Sequence, residues 1–214
     1  MKNVIIIGAG FSGLATAASL AKKGFKVKVL EKHKMAGGRA RKFETEGFTF
    51  DMGPSWYWMP DVFDNYFASF GKKTSDYYDL MRLDPSYKVF WSREEITDIP
   101  ASEKDLFSLF ESLESGAGEK LRAFLKDAKF KYDIGMNDLV HKPSYSALEF
   151  AEFSILANAM KLQIFRSFEK HIKKYFKDPK ILQLLEFPIL FLGGTAKNTP
   201  ALYSLMNYAD MRLG

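Results

Sequence analysis

Three glycines near the amino terminus have the spacing of a phosphate-binding turn. The segment Gly8-Ala9-Gly10-Phe11-Ser12-Gly13 follows a short β-branched run and opens a stretch with helical periodicity. In such a turn the first glycine permits a tight bend, the second lets a pyrophosphate approach the backbone, and the third lets the helix pack closely on the strand. The unpaired N–H groups at the helix start would then hold the diphosphate. A glycine-rich turn without a ligand is the alternative reading of this segment alone.

An acidic residue lies where a dinucleotide fold requires one. Glu31 ends the second predicted strand, 18 residues after Gly13, and a carboxylate there accepts hydrogen bonds from the adenosine ribose hydroxyls. Its charge would repel a 2′-phosphate, which disfavours NADP. Together with the strand and helix around the glycines, Glu31 predicts a dinucleotide site.

The elements that must position these residues form a βαβ unit. Val4-Ile5-Ile6-Ile7 predicts a buried parallel strand, Phe11 to Lys23 a helix that ends at Gly24, and Lys26 to Glu31 a second strand. The fold class is therefore α/β, with a Rossmann-like unit and a parallel sheet.

The remainder of the chain reads as a hairpin and then mostly helices. The hairpin spans 42–51 around Glu46-Gly47, a helix follows at 61–70, and two strands are predicted at 87–91 and 95–99. Helices are predicted at 103–113, 118–132, 147–175, 179–192 and 200–213. We place a domain boundary near residue 75, which gives a dinucleotide-binding domain at 1–75 and a mainly helical, substrate-binding region at 76–214.

A second glycine-rich turn bears on which dinucleotide is bound. Gly37-Gly38-Arg39 begins six residues after Glu31. Paired glycines allow backbone to pass close to a cofactor, and an arginine offers a planar fork to phosphate or carbonyl oxygens. A surface turn with a solvated arginine is the alternative.

With these motifs in this order, the sequence resembles the flavin-containing amine oxidase and phytoene desaturase superfamily. The resemblance narrows to the phytoene desaturase and carotenoid oxidoreductase family at the segment Gly47-Phe48-Thr49-Phe50-Asp51-Met52-Gly53-Pro54-Ser55, taken with Glu31-Lys32 and Gly37-Gly38-Arg39-Ala40. It implies FAD as cofactor, with Gly53, Pro54 and Ser55 near the flavin. It also implies desaturation of an acyclic carotenoid such as phytoene, with hydride transferred from the polyene to the flavin.

Several activities share these motifs. Hydroxycarotenoid desaturases, saturases and isomerases are open alternatives within the family, as are a flavin amine oxidase and a non-catalytic FAD-binding module. Family members are longer and carry a second glycine-rich FAD motif near their C-terminus, and nothing after Gly194 resembles it. We therefore expect an N-terminal portion, with a fold that is incomplete at its C-terminus.

Composition narrows the chemistry further. The chain has no cysteine, which excludes disulfides, thiolate metal sites and cysteine nucleophiles and makes a cytoplasmic location the default. The formal charge of +5 is too mild to predict nucleic-acid binding. The longest apolar run, 187–192, is far shorter than the roughly 18 residues of a spanning helix.

One lysine-rich segment suggests peripheral contact with the inner face of a membrane, as the family resemblance also implies. Aromatic and aliphatic residues alternate there with lysines, which predicts a helix lying in the plane of an anionic bilayer; a core helix with a solvated basic face is the alternative. The apolar set is Phe165, Phe168, Ile172, Tyr175 and Phe176, and the basic set is Lys170, Lys173, Lys174 and Lys177.

No catalytic or metal-binding residue is assigned. His33, His141 and His171 lack metal-ligand spacing, and each is expected at the surface. Asp127, Asp133 and Asp138 are expected as solvated helix acids, with a position near a substrate tunnel as the alternative.

Overall fold

The computed structural model describes residues 2–53, 56–140, 142, 145–146, 158 and 160–213. The chain divides into two compact units, Met1–Asp79 and Leu80–Gly214. The roles assigned to residues 1–75 and 76–214 remain predictions.

The first unit opens with the predicted βαβ motif. Strand β1 (Asn3–Ile7) pairs in parallel with β2 (Lys26–Leu30), and helix α1 (Phe11–Lys22) connects them. Directly after α1, Gly24 adopts a φ of 82°, a left-handed conformation that glycine takes without steric cost and that ends helices. The prediction of an α/β unit with parallel strands is confirmed.

A hairpin and a second helix complete the first unit. Strands β3 (Lys42–Thr45) and β4 (Phe48–Asp51) are antiparallel. Glu46 and Gly47 join them with φ values of 50° and 82°, as a type I′ turn requires. Helix α2 (Pro60–Ala68) follows, and its end is tied to α1 because the Lys22 ammonium donates to the carbonyl of Ser69.

The second unit contains a hairpin and a group of helices. Strands β5 (Tyr87–Phe90) and β6 (Ile96–Ile99) are antiparallel. The helices are α3 (Glu103–Leu113), α4 (Ala117–Ile134), α5 (Phe168–Ile172), α6 (Pro179–Glu186) and α7 (Leu205–Tyr208). Tighter 3-10 turns span Phe187–Leu192 and Ala201–Ser204, and wider π turns span Gly135–Leu139 and Ala209–Leu213.

These helices enclose one hydrophobic core. Phe110 of α3, Phe124 of α4, Phe168 and Ile172 of α5 and Leu185 of α6 are fully buried. Each helix contributes the apolar face of a helical repeat, so burial of these faces explains why the helices assemble.

A single carboxylate fastens the end of α3 to the segment before α6. Glu114 accepts hydrogen bonds from the backbone N–H groups of Lys177 and Asp178, at 2.7 and 2.9 Å, and from the Lys120 ammonium at 2.6 Å. Burial alone would raise the pKa of Glu114, but these donors lower it to about 2. The carboxylate therefore stays charged, and the joint stays intact, across ordinary pH.

The predicted continuous helix at 147–175 is wrong in its described part. The chain turns at 163–165, where Gln163 has a φ of 54°, and Ser167 bridges to Pro200 before α5 begins. Residues 147–157 lie outside the described residues. The predicted helix at 179–192 also ends early, at Glu186, because Pro188 lacks the N–H that an α-helix would need. Three short helical turns replace the predicted helix at 200–213.

Most of the aromatic residues that the sequence predicted to contact a membrane are buried in the hydrophobic core. Phe168, Ile172 and Phe176 are at most 1% exposed, and Tyr175 packs partly buried against the same core. Only Phe165 of the set is exposed, at 96%. The alternative reading, a core helix with a solvated basic face, describes α5. No helix within the described ranges is long and apolar enough to cross a membrane.

A buried carboxyl gives the second unit a testable pH dependence. Asp210 is 8% exposed, and Tyr87 donates a hydrogen bond to it at 3.2 Å. Burial raises the pKa of Asp210 to about 6, against the weaker lowering effects of Tyr87 and Arg82. The folded state thus prefers the neutral acid, so this contribution to stability is present at low pH and is lost as pH rises through about 6.

We expect Asp210→Asn to stabilise the second unit above pH 6, because the amide is neutral and still accepts the Tyr87 hydroxyl. The gain in the free energy of unfolding at pH 8 should be about 1–3 kcal/mol and should vanish near pH 4. Denaturant unfolding at the two pH values measures it. Asp98→Asn, at an exposed carboxylate, is the matched control; an Asp210→Asn variant that is less stable at pH 8 would contradict the assignment.

Candidate functional site

The glycine-rich turn is built as the sequence motif requires. Gly8 has a φ of 102°. Helix α1 begins at Phe11, and Gly10 is its N-cap residue. A Cβ on Gly13 would lie 2.0 Å from the carbonyl oxygen of Gly8, so only glycine allows the helix to approach the turn this closely. Phe11 and Ser12 occupy the first positions of α1, where backbone N–H groups lack helical partners.

Glu31 lies against this turn. One carboxylate oxygen accepts the N–H of Ala9 at 2.7 Å, and the other accepts the N–H of His33 at 2.9 Å. These two backbone hydrogen bonds lower the pKa of Glu31, Ala9 having the larger effect. Each oxygen retains a lone pair after these bonds, so the carboxylate can still accept hydrogen bonds from a ligand hydroxyl.

The second glycine turn packs on the first. The N–H of Gly37 donates to the carbonyl of Ala9 at 2.8 Å, and Gly37 has a φ of 117°. Gly38 has a φ of 59°, and a Cβ there would lie 3.1 Å from the Cα of Gly10. Arg39 follows in a 3-10 turn over Gly38–Ala40.

The residues at the end of strand β4 pack against the glycine turn at 37–39. A Cβ on Gly53 would lie 2.1 Å from the carbonyl oxygen of Arg39, and the N–H of Met52 donates to the carbonyl of Arg41 at 2.9 Å. Gly53 is thus required for backbone packing whether or not a ligand is present. Pro54 and Ser55 lie outside the described residues.

The structure therefore brings together the turn at 8–13, Glu31, the turn at 37–39 and Gly53, all within the first unit. Lys32 is exposed beside Glu31. Phe11 is also 63% exposed, with its ring 6.0 Å from that of Phe63 in an edge-to-face contact.

This geometry suits a dinucleotide. The start of α1 offers backbone donors and the positive end of a helix dipole for a diphosphate, and Glu31 offers acceptors for ribose hydroxyls. A Cβ at Gly8 would meet no atom within 4 Å, which leaves space over the turn. The residues present thus fit the cofactor that the sequence predicts.

Sequence reasoning missed a polar cluster in the second unit. Asp127 and Lys131 of α4 form an ion pair at 2.7 Å, and His171 of α5 lies 3.2 Å from the same carboxylate oxygen. His171 is 1% exposed, so its expected surface position is wrong; Asp127 is a paired, half-buried acid rather than a solvated one. The i, i+4 spacing of Asp127 and Lys131 could have indicated their pairing, but only the tertiary fold brings in His171.

The remaining polar candidates give no further site. His33 is exposed, as predicted, and Asp133 pairs with Lys129 at 2.6 Å on the surface of α4. His141 and the side chain of Asp138 lie outside the described parts of the chain. Among the residues that the structure describes, no group of three or more histidine or acidic side chains could hold a metal ion.

The chain is similar to a family of domains and to several known proteins. Residues 6–72 match the family model of the NAD(P)-binding Rossmann-like domain. Over 214 residues the chain is 39% identical to the carotenoid 3,4-desaturase of Haloarcula japonica and covers 43% of that protein. Over 211 residues it is 34% identical to the 4,4'-diapophytoene desaturase (4,4'-diaponeurosporene-forming) of Staphylococcus aureus strain MRSA252 and covers 42% of it. The chain thus spans less than half the length of these relatives.

Solved structures show the same fold at lower identity. A triple mutant of putrescine oxidase with redesigned cofactor binding matches with a TM-score of 0.57 and 19% identity, over 95% of this chain and 40% of that one. A protein from Pyrococcus furiosus matches with a TM-score of 0.54 and 20% identity, over 100% of this chain and 43% of that one. By sequence the chain is similar to these carotenoid desaturases, and residues 6–72 match the NAD(P)-binding Rossmann-like domain.

Proposed function

We propose that the complete protein is an FAD-dependent carotenoid desaturase and that this chain supplies the part of its site that binds the ADP half of the cofactor. The main observation that supports this proposal is that the glycine-rich turn, Glu31 and the turn at 37–39 contact one another directly through the backbone. The names of the two relatives at 39% and 34% identity support the carotenoid and the desaturation.

Each candidate residue has a defined task in this proposal. The backbone N–H groups of Phe11, Ser12 and Gly13 bind the diphosphate, and the absence of a side chain at Gly10 lets it approach. Glu31 accepts the adenosine ribose hydroxyls, and its charge excludes a 2′-phosphate. FAD, when bound, supplies the acceptor for the hydride that leaves the polyene.

The remaining cofactor contacts follow from the family resemblance. Lys32 and Arg39 offer cationic groups beside the cofactor, and Gly53, Pro54 and Ser55 would lie toward the flavin. A Cβ on Gly53 would strike the carbonyl oxygen of Arg39, so Gly53 packs directly on the turn at 37–39.

The proposed substrate is an acyclic carotenoid such as phytoene. A hydroxycarotenoid desaturase, a saturase or an isomerase would use the same motifs. A flavin amine oxidase and a non-catalytic FAD-binding module are the alternatives outside carotenoid chemistry.

Activity on defined substrates separates these functions. The complete gene product, loaded with FAD, should convert phytoene or 4,4'-diapophytoene in liposomes to products with longer conjugation, seen as absorbance at longer wavelength. A putrescine assay for peroxide is the parallel arm. Oxidation of the amine without change in either carotenoid would reject desaturation, and FAD binding without turnover of any substrate would favour the non-catalytic module.

We expect Glu31→Gln in the complete protein to weaken FAD binding about 10- to 100-fold. The amide loses the charge and one of the two acceptor oxygens, a loss of roughly 1–3 kcal/mol for hydrogen bonds to a charged group. Flavin fluorescence titration of the apoprotein measures it. Glu46→Gln, at the hairpin turn, is the control for charge in the same unit; equal FAD affinity in the two variants would show that Glu31 does not bind the cofactor.

We also propose that the protein contacts the cytoplasmic face of a membrane through the lysines that the sequence suggested, but without the buried aromatic residues. Lys170 of α5 is exposed, as are Lys173, Lys174 and Lys177, which follow that helix. Two highly exposed apolar side chains precede these lysines in the sequence, Met160 at 92% exposure and Phe165 at 96%. Exposed apolar groups near several lysines fit an anionic lipid surface.

Removing lysines should weaken binding to anionic vesicles. Lys170→Gln with Lys174→Gln should cost about 2 kcal/mol, or roughly 30-fold in the partition coefficient to phosphatidylglycerol vesicles, since each lysine near such a surface contributes about 1 kcal/mol. Co-sedimentation measures it, with phosphatidylcholine vesicles as the uncharged comparison. Lys88→Gln with Lys104→Gln, on β5 and α3, is the matched control; an equal loss in both pairs would remove the proposed surface.

A further inference from the structure

A buried ammonium joins three separate segments of the second unit. Lys131 of α4 is 0% exposed. Its nitrogen lies 2.7 Å from Asp127, 3.2 Å from the carbonyl oxygen of Ala201 and 3.1 Å from the hydroxyl of Ser204. His171 of α5 lies 3.4 Å away through its Nε2 atom. The cluster thus connects α4, α5 and the turn Ala201–Ser204.

Counting hydrogen-bond donors fixes the state of the histidine. An ammonium has three N–H donors, and Asp127, Ala201 and Ser204 take all three. A carboxylate can only accept, and an oxygen of Asp127 lies 3.2 Å from Nε2 of His171, so this contact favours a proton on Nε2 that is donated to Asp127. The other ring nitrogen, Nδ1, is buried and has no hydrogen-bond partner among the described residues.

We propose that this cluster is an acid-sensitive joint, in which protonation of His171 releases α5 and the turn Ala201–Ser204 from α4. At neutral pH the joint holds one carboxylate, one ammonium and a neutral imidazole. Protonation of His171 places a second cation beside the Lys131 ammonium, and it also gives Nδ1 a buried N–H without an acceptor. Charge repulsion and the unsatisfied donor both destabilise the folded state.

The surroundings of His171 favour the neutral ring. Asp127 and Lys131 face the imidazole from α4. The ring centroid of Tyr175, which follows α5, lies 5.5 Å from that of His171, and the ring centroid of Phe124 lies 5.6 Å from it. Burial is the main cause that lowers the pKa of His171; the cations Lys131 and Arg166 lower it further, and Asp127 opposes them.

The sign of the pH dependence follows directly. A pKa lowered by folding means that the unfolded chain binds the proton more tightly, so stability is full above the ordinary histidine value near 6.5 and falls as pH drops below it. Within that window the contribution of His171 alone should raise the unfolding constant about tenfold for each pH unit. Asp210, whose raised pKa acts in the opposite sense below about pH 6, must be replaced by Asn for this contribution to be seen by itself.

The backbone near the joint gives a local measurement of its release. The N–H of Ala201 donates to the carbonyl of Arg166 at 2.7 Å, and the N–H of Phe168 donates to the carbonyl of Thr199 at 2.8 Å. We expect these two amides to lose protection against hydrogen exchange at acid pH before the buried amides of α3 do.

The test compares two histidine variants of the complete gene product. Both are made in the Asp210→Asn background, which removes the opposing titration of that acid. His171→Phe keeps an aromatic ring against Phe124 but cannot be protonated, so its unfolding constant should lack the acid rise that the Asp210→Asn parent shows below pH 6.5. His33→Phe, at an exposed histidine, should keep that rise. The same acid rise in His171→Phe as in the parent would overturn the proposal.

A second measurement needs no substitution at the joint. NMR of histidine labelled with ¹⁵N and ¹³C reports the tautomer and the titration of each ring, and His33→Phe and His141→Phe assign the signals. We expect the Nε2–H tautomer at neutral pH and titration below pH 6.5. A ring of His171 protonated on Nδ1, or titrating at or above 6.5, would overturn the proposal even if His171→Phe failed to fold.

Discussion

Close backbone contact between glycines is the constraint on which the candidate dinucleotide site depends. A Cβ would lie 2.0 Å from a carbonyl oxygen at Gly13 and 2.1 Å from one at Gly53, and 3.1 Å from a neighbouring Cα at Gly38. The distances at Gly13 and Gly53 are shorter than a carbon side chain tolerates, and the one at Gly38, which also has a positive φ, is tighter than most Cβ contacts. The turn at 8–13, the turn at 37–39 and the end of β4 can therefore lie against one another only because these positions lack side chains.

One residue at the centre of this arrangement, Ala9, is held through both its backbone N–H and its backbone carbonyl. The N–H of Ala9 donates to Glu31, and its carbonyl accepts from Gly37. Ala9 therefore has no donor left for a phosphate, and the phosphate donors must come from the start of α1. Glu31 therefore fixes this turn in the structure, and in the proposed function the same acid would also bind the ribose. A preformed turn of this kind reduces the ordering that ligand binding would otherwise require.

Local patterns predicted the first unit better than the second. The strand, helix and strand at its start, and the hairpin at Glu46-Gly47, depend on residue types close together in sequence, and both predictions are confirmed. The segment at 163–177 is decided by distant contacts instead: Ser167 bridges to Pro200, and Phe168 enters a core built by α3, α4 and α6. No pattern within that segment distinguishes an aromatic face that meets lipid from one that meets a core.

The same limit applied to the site residues. The sequence predicted Gly38 and Gly53 as cofactor contacts, which stays a prediction, while the structure shows that both lie in close backbone packing. His171 was expected at the surface because a single sequence gives no sign that Asp127 and Lys131 would enclose it.

Among the glycines of the turn, Gly10 is the one whose identity the protein fold alone does not explain. Gly8 has a positive φ that favours glycine, and Gly13 faces a carbonyl that a Cβ would strike. Gly10 has a φ of −81° and a ψ of −178°, an extended conformation open to any residue, and a Cβ there would meet only the Cα of Gly38, at 3.8 Å. Neither strain nor crowding within the chain requires a glycine at that position. Approach of a ligand to the backbone does require one, so Gly10 is where the structure separates cofactor binding from packing most clearly.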